Sequence, residues 1–390
     1  MENGVGIICE CNPFHNGHRA LFRAVREAFP AKPIVCVMSS DFVQRAEAAS
    51  LGKYARAETA LLAGADLVLE LPFPFSALSA EGFAAAGVFI LSQTGLCSHL
   101  AFGCESGTAE EFDKVAGNLL SEKMAAKLLQ DGAKKEGYPA FRERCYGELF
   151  GGSALFSGKN SALALEYVLA MRRQNAALSL FPVRRTEGEG ILSATALREA
   201  AKNKGASALA PFVPPETLPV FLREEKRGHF PVSTEALSAP LLYALRTSSA
   251  SSLKKVYAMA GLEARAKLAA AKNGSFSEIA ARMKNPRYTD SRIRRALLSL
   301  LCGIPRGVER ETPAYTVLLG ANARGRALLA EKKEESRIPV FTRPAEAQNR
   351  RDLKIAQQAS CAFVADAVYQ LCLPDGEEGA LLRQRPVILP

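Results

Sequence analysis

The chain of 390 residues lacks a long uninterrupted apolar run. Its most apolar stretch, residues 67–91, contains Glu70, Glu81 and two prolines, so it cannot form a clean membrane span of about 20 residues. The first four residues carry no basic segment, and the apolar run at residues 5–11 contains Glu10, so we expect no signal peptide. Repeats and low-complexity blocks are absent as well. We therefore expect a globular, cytoplasmic protein that does not associate with a membrane.

The cysteines lack the spacing of a metal site or of a disulfide framework. Nine are scattered along the chain, none forms a Cys-x-x-Cys pair, and only Cys9 and Cys11 are near neighbours. An odd number without zinc-type spacing favours reduced, mostly buried thiols in a reducing compartment. We therefore predict that the chain builds no metal site of its own.

Positive charge is abundant. The formal net charge is +10, and the isoelectric point is about 9.2. A solvated basic surface would explain this balance, and so would a polyanionic partner, because lysine and arginine neutralise phosphates. The total charge alone leaves nucleic-acid binding open.

Short apolar runs alternate with helical patterns over the first 200 residues. Strands are predicted at residues 5–11, 34–38, 67–71, 99–102 and 178–183. Helices are predicted at residues 18–29, 55–63, 79–91 and 194–202 and through most of residues 109–174. This alternation predicts an α/β fold, a Rossmann-like parallel sheet with helices on both faces. Ligands bind such sheets at the carboxyl ends of the strands.

The sequence changes character near residue 205, where Pro211, Pro214 and Pro215 follow. We predict one domain at residues 1–205 and a mostly helical C-terminal region at residues 206–390. Helices dominate residues 216–303. A small α/β part follows, with strands at residues 315–319 and 338–341 and helices at residues 322–333 and 344–373.

The motif His15-Asn16-Gly17-His18 lies between the first strand and the first helix. It uses two of only four histidines, and the composition of the chain predicts about 0.003 chance occurrences of His-x-Gly-His. A helix N-terminus offers free N–H groups to anions, and two imidazoles can stabilise charge on a departing pyrophosphate. We therefore predict that His15 and His18 are catalytic. Two surface or metal-binding histidines remain the alternative.

A second element, Ser193 to Arg198, has a hydroxyl residue at a helix start and an arginine one turn later. Alone it is an ordinary capped helix. Together with the upstream histidine motif, it matches the element with which many nucleotidyltransferases close the triphosphate site.

A basic segment is the candidate RNA contact. On a helix from Thr289, apolar side chains face inward and arginines occupy the remaining face, with Tyr288 available for stacking. A solvated basic helix is the alternative. The candidate RNA-binding residues are Lys284, Arg287, Arg292 and Arg295.

Most of the chain resembles the bacterial tRNA(Met) cytidine acetate ligase family, strongly to about residue 200 and more loosely after it. The motifs that carry the resemblance are residues 6–18 (GIICECNPFHNGH), 38–45 (MSSDFVQR), 64–72 (GADLVLELP), 79–81 (SAE), 102–105 (FGCE), Asn160, 166–167 (EY), Arg185, 193–198 (SATALR), 284–295 (KNPRYTDSRIRR) and 318–320 (LLG). The chain departs from the family pattern at five positions. Cys11 stands where the family usually has tyrosine, Ser40 and Ala46 replace glycines, Ala48 replaces proline, and Cys104 replaces serine.

The resemblance implies an ATP-dependent ligase. Residues 1–205 would be its nucleotidyltransferase-like, ATP-binding domain, and residues 206–390 its tRNA-binding region with Lys284, Arg287, Arg292 and Arg295 as the tRNA-binding residues. Such an enzyme adenylates acetate with release of pyrophosphate and then acetylates N4 of the wobble cytidine of elongator tRNA(Met). ATP would be the nucleotide substrate, with Mg²⁺ expected beside it, and no stable protein partner is predicted. The implied ATP-binding residues are Gly6, Ile7, Ile8, Cys9, Glu10, Cys11, Asn12, Pro13, Phe14, His15, Asn16, Gly17, His18, Gly103, Asn160, Arg185 and Thr186, with Ser193 and Thr195 from the second element.

Two other functions remain open. An adenylyltransferase acting on a small phosphorylated metabolite would turn over without RNA and would tolerate replacement of Arg292 and Arg295. A tRNA-binding relative without catalysis would form no AMP, and the intact histidine pair argues against it.

Overall fold

The computed structural model describes residues 2–132, 137–185 and 192–390. Eight strands occur in these residues: β1 (Gly4–Cys9), β2 (Ile34–Ser39), β3 (Leu67–Leu71), β4 (Cys97–Cys104), β5 (Ser179–Arg184), β6 (Thr316–Ala321), β7 (Val340–Phe341) and β8 (Val387–Ile388). They form one sheet in the order β5-β4-β1-β2-β3-β6-β7, with β8 also paired to β6. Only the β3–β6 pair is antiparallel among these pairings. The predicted Rossmann-like parallel sheet is therefore confirmed.

Helices cover much of the rest of the described chain. Their bounds are α1 (Asn16–Ala28), α2 (Lys53–Leu62), α3 (Ala80–Gln93), α4 (Ala109–Leu119), α5 (Glu122–Asp131), α6 (Tyr138–Phe150), α7 (Lys159–Gln174), α8 (Ala194–Lys204), α9 (Leu218–Lys226), α10 (Ser238–Thr247), α11 (Ala250–Leu253), α12 (Glu263–Ala270), α13 (Phe276–Arg282), α14 (Asp290–Leu301), α15 (Ala323–Glu331), α16 (Pro344–Gln348) and α17 (Leu353–Gln370).

Both faces of the sheet are covered, which is why β1, β2 and β3 are buried along their whole length. On one face Val5 and Ile7 belong to an apolar cluster with Phe22 of α1 and residues of α2. On the other face Ile8 packs with α3 and α7. Gly87 of α3 allows this close approach, because a Cβ atom there would lie 2.8 Å from Ile8. The sheet edge that carries the site is therefore rigidly supported.

The last part of the chain returns to the first sheet. Strand β6 pairs antiparallel with β3, with Leu67 opposite Ala321 and Val68 opposite Gly320. The apolar cluster beneath α3 and α7 also continues into α10, α12, α13 and α14. The mostly helical C-terminal region with its small α/β part is as predicted. Residues on the two sides of residue 205 share one sheet and one core. The division into two domains at that residue stays a prediction.

The element bounds differ from the prediction where turns interrupt helical patterns. The described residues of the segment 109–174 form four α-helices, α4 to α7, and the segment 344–373 divides into α16 and α17. Pairing with β6 makes a strand of β8, which local sequence did not indicate. Within the described ranges no helix has the length and apolar character needed to cross a bilayer.

Candidate active site

The two histidines of the motif hold each other at the start of α1. His15 is the N-cap residue, and its Nδ1 accepts a hydrogen bond from Gly17 N at 3.0 Å. In return, Nδ1 of His18 accepts from His15 N at 3.3 Å, and the ring centroids are 4.0 Å apart. Because both Nδ1 atoms accept, the proton of each neutral ring is on Nε2. The motif therefore presents two Nε2–H donors.

Burial keeps both rings neutral. It lowers the pKa of His15 to about 4, with a further contribution from the Arg185 charge. Burial also lowers the pKa of His18 well below its usual value, helped by His15 and Arg185. The fold thus provides two neutral imidazole rings as hydrogen-bond donors. A bound polyanion would raise the pKa of both rings and favour their protonation.

A cavity of about 420 Å³ opens beside these histidines, at the carboxyl ends of β1 and β4. This is the edge at which parallel sheets bind ligands. Nine of the predicted ATP-binding residues line it: Ile7, Ile8, Cys9, Glu10, Gly17, His18, Gly103, Asn160 and Arg185.

Among the described residues, the other predicted contacts are not part of the cavity lining, and their ligand-binding role stays a prediction. Gly6 is under α3, where a Cβ atom would meet Leu91 at 2.7 Å. Thr186 lies outside the described residues. Asn16 begins α1 and is half-buried. The others belong to the buried loop after β1 or to the start of α8: Cys11, Asn12, Pro13, Phe14, His15, Ser193 and Thr195.

Arg185 lines this cavity directly after β5. Its backbone N–H donates to Cys104 O at 2.8 Å, which continues the pairing of β5 with β4. A Cβ atom on Gly103 would lie 3.5 Å from Arg185 Cγ, and one on Gly17 would lie 3.6 Å from its terminal guanidinium nitrogen. These distances place the Arg185 side chain against Gly103 and at the start of α1, where a phosphate would be bound.

Glu105 positions Asn160 at the start of α7. One carboxylate oxygen accepts from Asn160 N and Nδ2 at 3.1 and 2.6 Å, and the other from Ser161 N and Oγ at 2.7 and 2.9 Å. Although burial acts in the opposite direction, the hydrogen bonds from Ser161 and Asn160 lower the pKa of Glu105 to about 2. The amide nitrogen of Asn160 is engaged by Glu105, so its Oδ1 is the atom suited to a ligand.

The Ser193 element contacts the histidine loop through its arginine. Ser193 Oγ caps α8 by accepting from Ala196 N at 3.2 Å. Arg198 donates to Asn12 O at 2.8 Å, and Asn12 Oδ1 in turn accepts from Ser50 N at 2.8 Å. The structure therefore brings the two sequence motifs together, with Arg198 as the direct contact.

Two departures from the family pattern fall at left-handed backbone positions. Cys11 has φ 50° and Ala46 has φ 57°. A non-glycine residue in this region costs about 1 kcal/mol, so Ala46 is strained where the family has glycine. Ser40 is accommodated by a hydrogen bond between its Oγ and Ser76 Oγ at 2.8 Å.

The apolar wall of the cavity was missed by sequence reasoning. It is formed by side chains from four helices and strands: Leu21, Phe22, Phe83, Phe102, Leu163 and Tyr167. Their spacing in sequence matches ordinary core positions, so only the fold reveals that they share a cavity. Within residues 2–132, 137–185 and 192–390, no group of three or more histidine, cysteine or carboxylate side chains is placed to hold a metal.

The predicted RNA contacts have unequal surroundings. Lys284 and Arg287 are exposed, and Lys284 pairs with Asp290 at 2.9 Å. Arg292 stacks on Tyr288 at 4.1 Å and donates to Ala260 O at 3.0 Å. Arg295 is only 6% exposed, and it donates to backbone carbonyls instead of facing solvent.

Comparisons with known proteins agree with this geometry. A family model described as HIGH Nucleotidyl Transferase matches residues 2–382. The tRNA(Met) cytidine acetate ligase of Syntrophomonas wolfei is 32% identical over 95% of each chain. The enzyme of that name from Caldanaerobacter subterraneus is 33% identical over 88% of this chain and 89% of its own. The structure of Thermotoga maritima TmcAL bound with α-thio ATP covers both chains completely, with 28% identity and a TM-score of 0.92.

Proposed function

Because the chain belongs to the tRNA(Met) cytidine acetate ligase family, we propose that it acetylates N4 of the wobble cytidine of elongator tRNA(Met), using acetate and ATP. The observation that carries the proposal is the cavity at the start of α1, where His18, Arg185 and Asn160 converge. These groups suit a nucleoside triphosphate: N–H donors and a guanidinium for phosphates, and an apolar wall for a base.

The first step is adenylation of acetate. A carboxylate oxygen of acetate attacks the α-phosphorus of ATP, and the bond to pyrophosphate breaks with its electrons leaving on the pyrophosphate oxygen. The Nε2–H groups of His15 and His18 and the guanidinium of Arg185 stabilise the charge that develops there. Positioning and electrostatic stabilisation do most of this work, since no covalent intermediate on the protein is required.

The second step transfers the acetyl group. The N4 amine of cytidine attacks the carbonyl carbon of acetyl-AMP, the bond from that carbon to the AMP oxygen breaks, and the nitrogen loses a proton. A free acetate ion is a poor acyl donor, so ATP is consumed to make a good leaving group. This two-step reaction also explains why one chain has both an ATP site and a basic surface.

The proposal also includes a metal ion, the residues that contact RNA and the compartment of the cell. Mg²⁺ would be bound mainly by the phosphate oxygens of ATP, as is common where the protein supplies few ligands. Lys284, Arg287 and Arg292 contact the RNA in this proposal, and Arg295 supports them from within. The enzyme works in the cytoplasm without a stable protein partner.

The test is incubation of the purified chain with ATP, labelled acetate and tRNA(Met) transcript. We expect AMP formation and label in N4-acetylcytidine. His18→Ala should lower the rate of AMP formation by roughly 100-fold to 1,000-fold, the range seen when one stabilising donor is removed. His99→Ala is the matched control, because His99 is at the opposite end of β4 and stacks on Phe29.

The same assay, repeated with small phosphorylated metabolites in place of tRNA, separates the alternatives. Turnover of a small phosphorylated substrate without RNA would support the adenylyltransferase. RNA binding without any AMP would support a non-catalytic relative. Either outcome, in the absence of labelled RNA, contradicts the proposed function.

A further inference from the structure

A second cavity, of about 540 Å³, lies between the starts of α3 and α6 and the start of α14. Its size is in the range of small-molecule sites. Five arginines and three tyrosines line it together with three glutamates. Arginine and tyrosine side by side are the groups that bind phosphates and stack on unpaired bases.

One wall of this cavity carries an unused acceptor. Glu166 is 7% exposed and forms an ion pair with Arg142 through Oε1. Its Oε2 is buried and has no hydrogen-bond partner in the described structure, and the same is true of Arg142 Nε. A buried carboxylate oxygen without a donor is costly. An amino group entering the cavity would satisfy it, as carboxylates do with the exocyclic amine of cytosine.

The aromatic and basic groups lie at other walls of this cavity. Tyr138 is 53% exposed at the beginning of α6. Tyr288 is covered on one side by the guanidinium of Arg292, 4.1 Å from its ring centroid. Arg287 and Arg306 are exposed lining residues. An unstacked base can therefore contact an aromatic or guanidinium plane while its phosphate meets arginine.

The two cavities adjoin each other. Glu10 lines the ATP cavity, and its Oε1 accepts from Gln44 N at 2.8 Å. Gln44 lines the second cavity and accepts from Arg295 through its carbonyl. Glu166 and Tyr167 are consecutive on α7 and line one cavity each. A nucleotide in the second cavity is thus next to the site of acetate activation.

We propose that the second cavity binds a single unpaired nucleotide of the RNA substrate, one whose base carries an amino group. The base stacks at Tyr138 and the Arg292–Tyr288 pair, its amino group donates to Glu166 Oε2, and its phosphate lies against Arg287 and Arg306. This inference rests on the proposed function, since it assumes that RNA is the second substrate.

The sequence offers a clean probe, because it contains no tryptophan. In Tyr138→Trp the introduced indole is the sole tryptophan, and a stacked base will quench its fluorescence. Tyr243→Trp is the matched control, because Tyr243 is 72% exposed on α10 and does not line the cavity. The titrants are unmodified tRNA(Met) transcript, oligocytidylate and oligouridylate of equal length.

We expect saturable quenching by the transcript in Tyr138→Trp and no change in Tyr243→Trp. Oligocytidylate should bind roughly tenfold more tightly than oligouridylate, the discrimination typical of one specific base contact. Arg306→Ala should raise the Kd for the transcript several-fold, while Arg310→Ala, four residues away and outside the cavity lining, should leave it unchanged.

Failure of the inference is distinguishable from failure of the proposed function. If the wild-type chain acetylates the transcript but the indole fluorescence of Tyr138→Trp does not respond, the nucleotide site is wrong and the function stands. Equal binding of both oligonucleotides would contradict the role of Glu166. If the transcript is neither bound nor acetylated, both proposals are wrong.

Discussion

At the scale of single residues, the histidine pair shows how burial sets chemistry. Each ring uses Nδ1 to accept a backbone N–H at the helix start. That use fixes Nε2 as the protonated nitrogen and makes the pair part of the cap of α1. The same interactions that build the helix N-terminus therefore orient the two Nε2–H donors that face a phosphate in the proposed function.

We predict that this arrangement makes stability dependent on pH. The pKa of His15 is about 4 in the folded chain and about 6.5 when unfolded. Between these values the unfolded state binds more protons, so the free energy of unfolding falls as pH falls. His15 should contribute up to about 3 kcal/mol to this loss.

Urea denaturation of wild type and His15→Asn from pH 7 to pH 4.5 is the measurement. Asparagine is a preferred N-cap residue and cannot titrate, so the variant should lose less stability at low pH. An equal slope for the two proteins would contradict the buried, neutral state of His15.

At the scale of elements, the arginines on α14 and just before it have different roles. Arg295 Nε donates to Ala77 O at 2.8 Å, and a terminal nitrogen donates to Gln44 O at 3.1 Å. It therefore joins α14 to the loops that follow β2 and β3. Arg287, just before the helix, is exposed and makes no such connection to those loops.

We predict that Arg295→Met lowers the free energy of unfolding by about 2–4 kcal/mol, because two carbonyl groups lose their donors. Arg287→Ala should change stability by less than about 0.5 kcal/mol and should weaken tRNA binding. Urea denaturation and filter binding measure the two effects. Weaker RNA binding with unchanged stability in Arg295→Met would show that Arg295 contacts RNA directly.

At the scale of the whole molecule, a buried charge cluster ties the last long helix to the first sheet. Lys53 Nζ on α2 lies 2.9 Å from Glu70 of β3 and 3.0 Å from Asp366 of α17. Burial alone would lower the pKa of Lys53, but the two carboxylates outweigh it and raise this pKa well above its usual value. Together with the β3–β6 pairing, this cluster makes the C-terminal part integral to the sheet.

We predict that Lys53→Met destabilises the chain by about 3–5 kcal/mol, because two buried carboxylates lose their cation. Lys127→Met is the matched control, since Lys127 also pairs with two carboxylates but at the surface, and should cost less than about 1 kcal/mol. Equilibrium unfolding in urea provides both values. Equal effects would mean that the buried cluster does not hold the C-terminal part in place.

Local sequence was sufficient for the site motif and for the sheet that carries it. Apolar runs predicted β1 to β5, and His15-Asn16-Gly17-His18 predicted the start of α1, because apolar patterning and helix capping are properties of residues that are neighbours in the chain. The resemblance to the acetate ligase family, drawn from those motifs, is confirmed by relatives at 32 and 33% identity.

Only the tertiary structure decided which distant residues meet. Four features depend on contacts between segments far apart in sequence: the apolar wall of the cavity beside His18, the burial of Arg295, the pairing of β6 with β3 and the unpartnered oxygen of Glu166. Such contacts depend on how whole faces pack, and no local period records them. The sequence by itself indicated that this chain binds phosphates. The packing of its helices determined which side chains surround the proposed phosphate site.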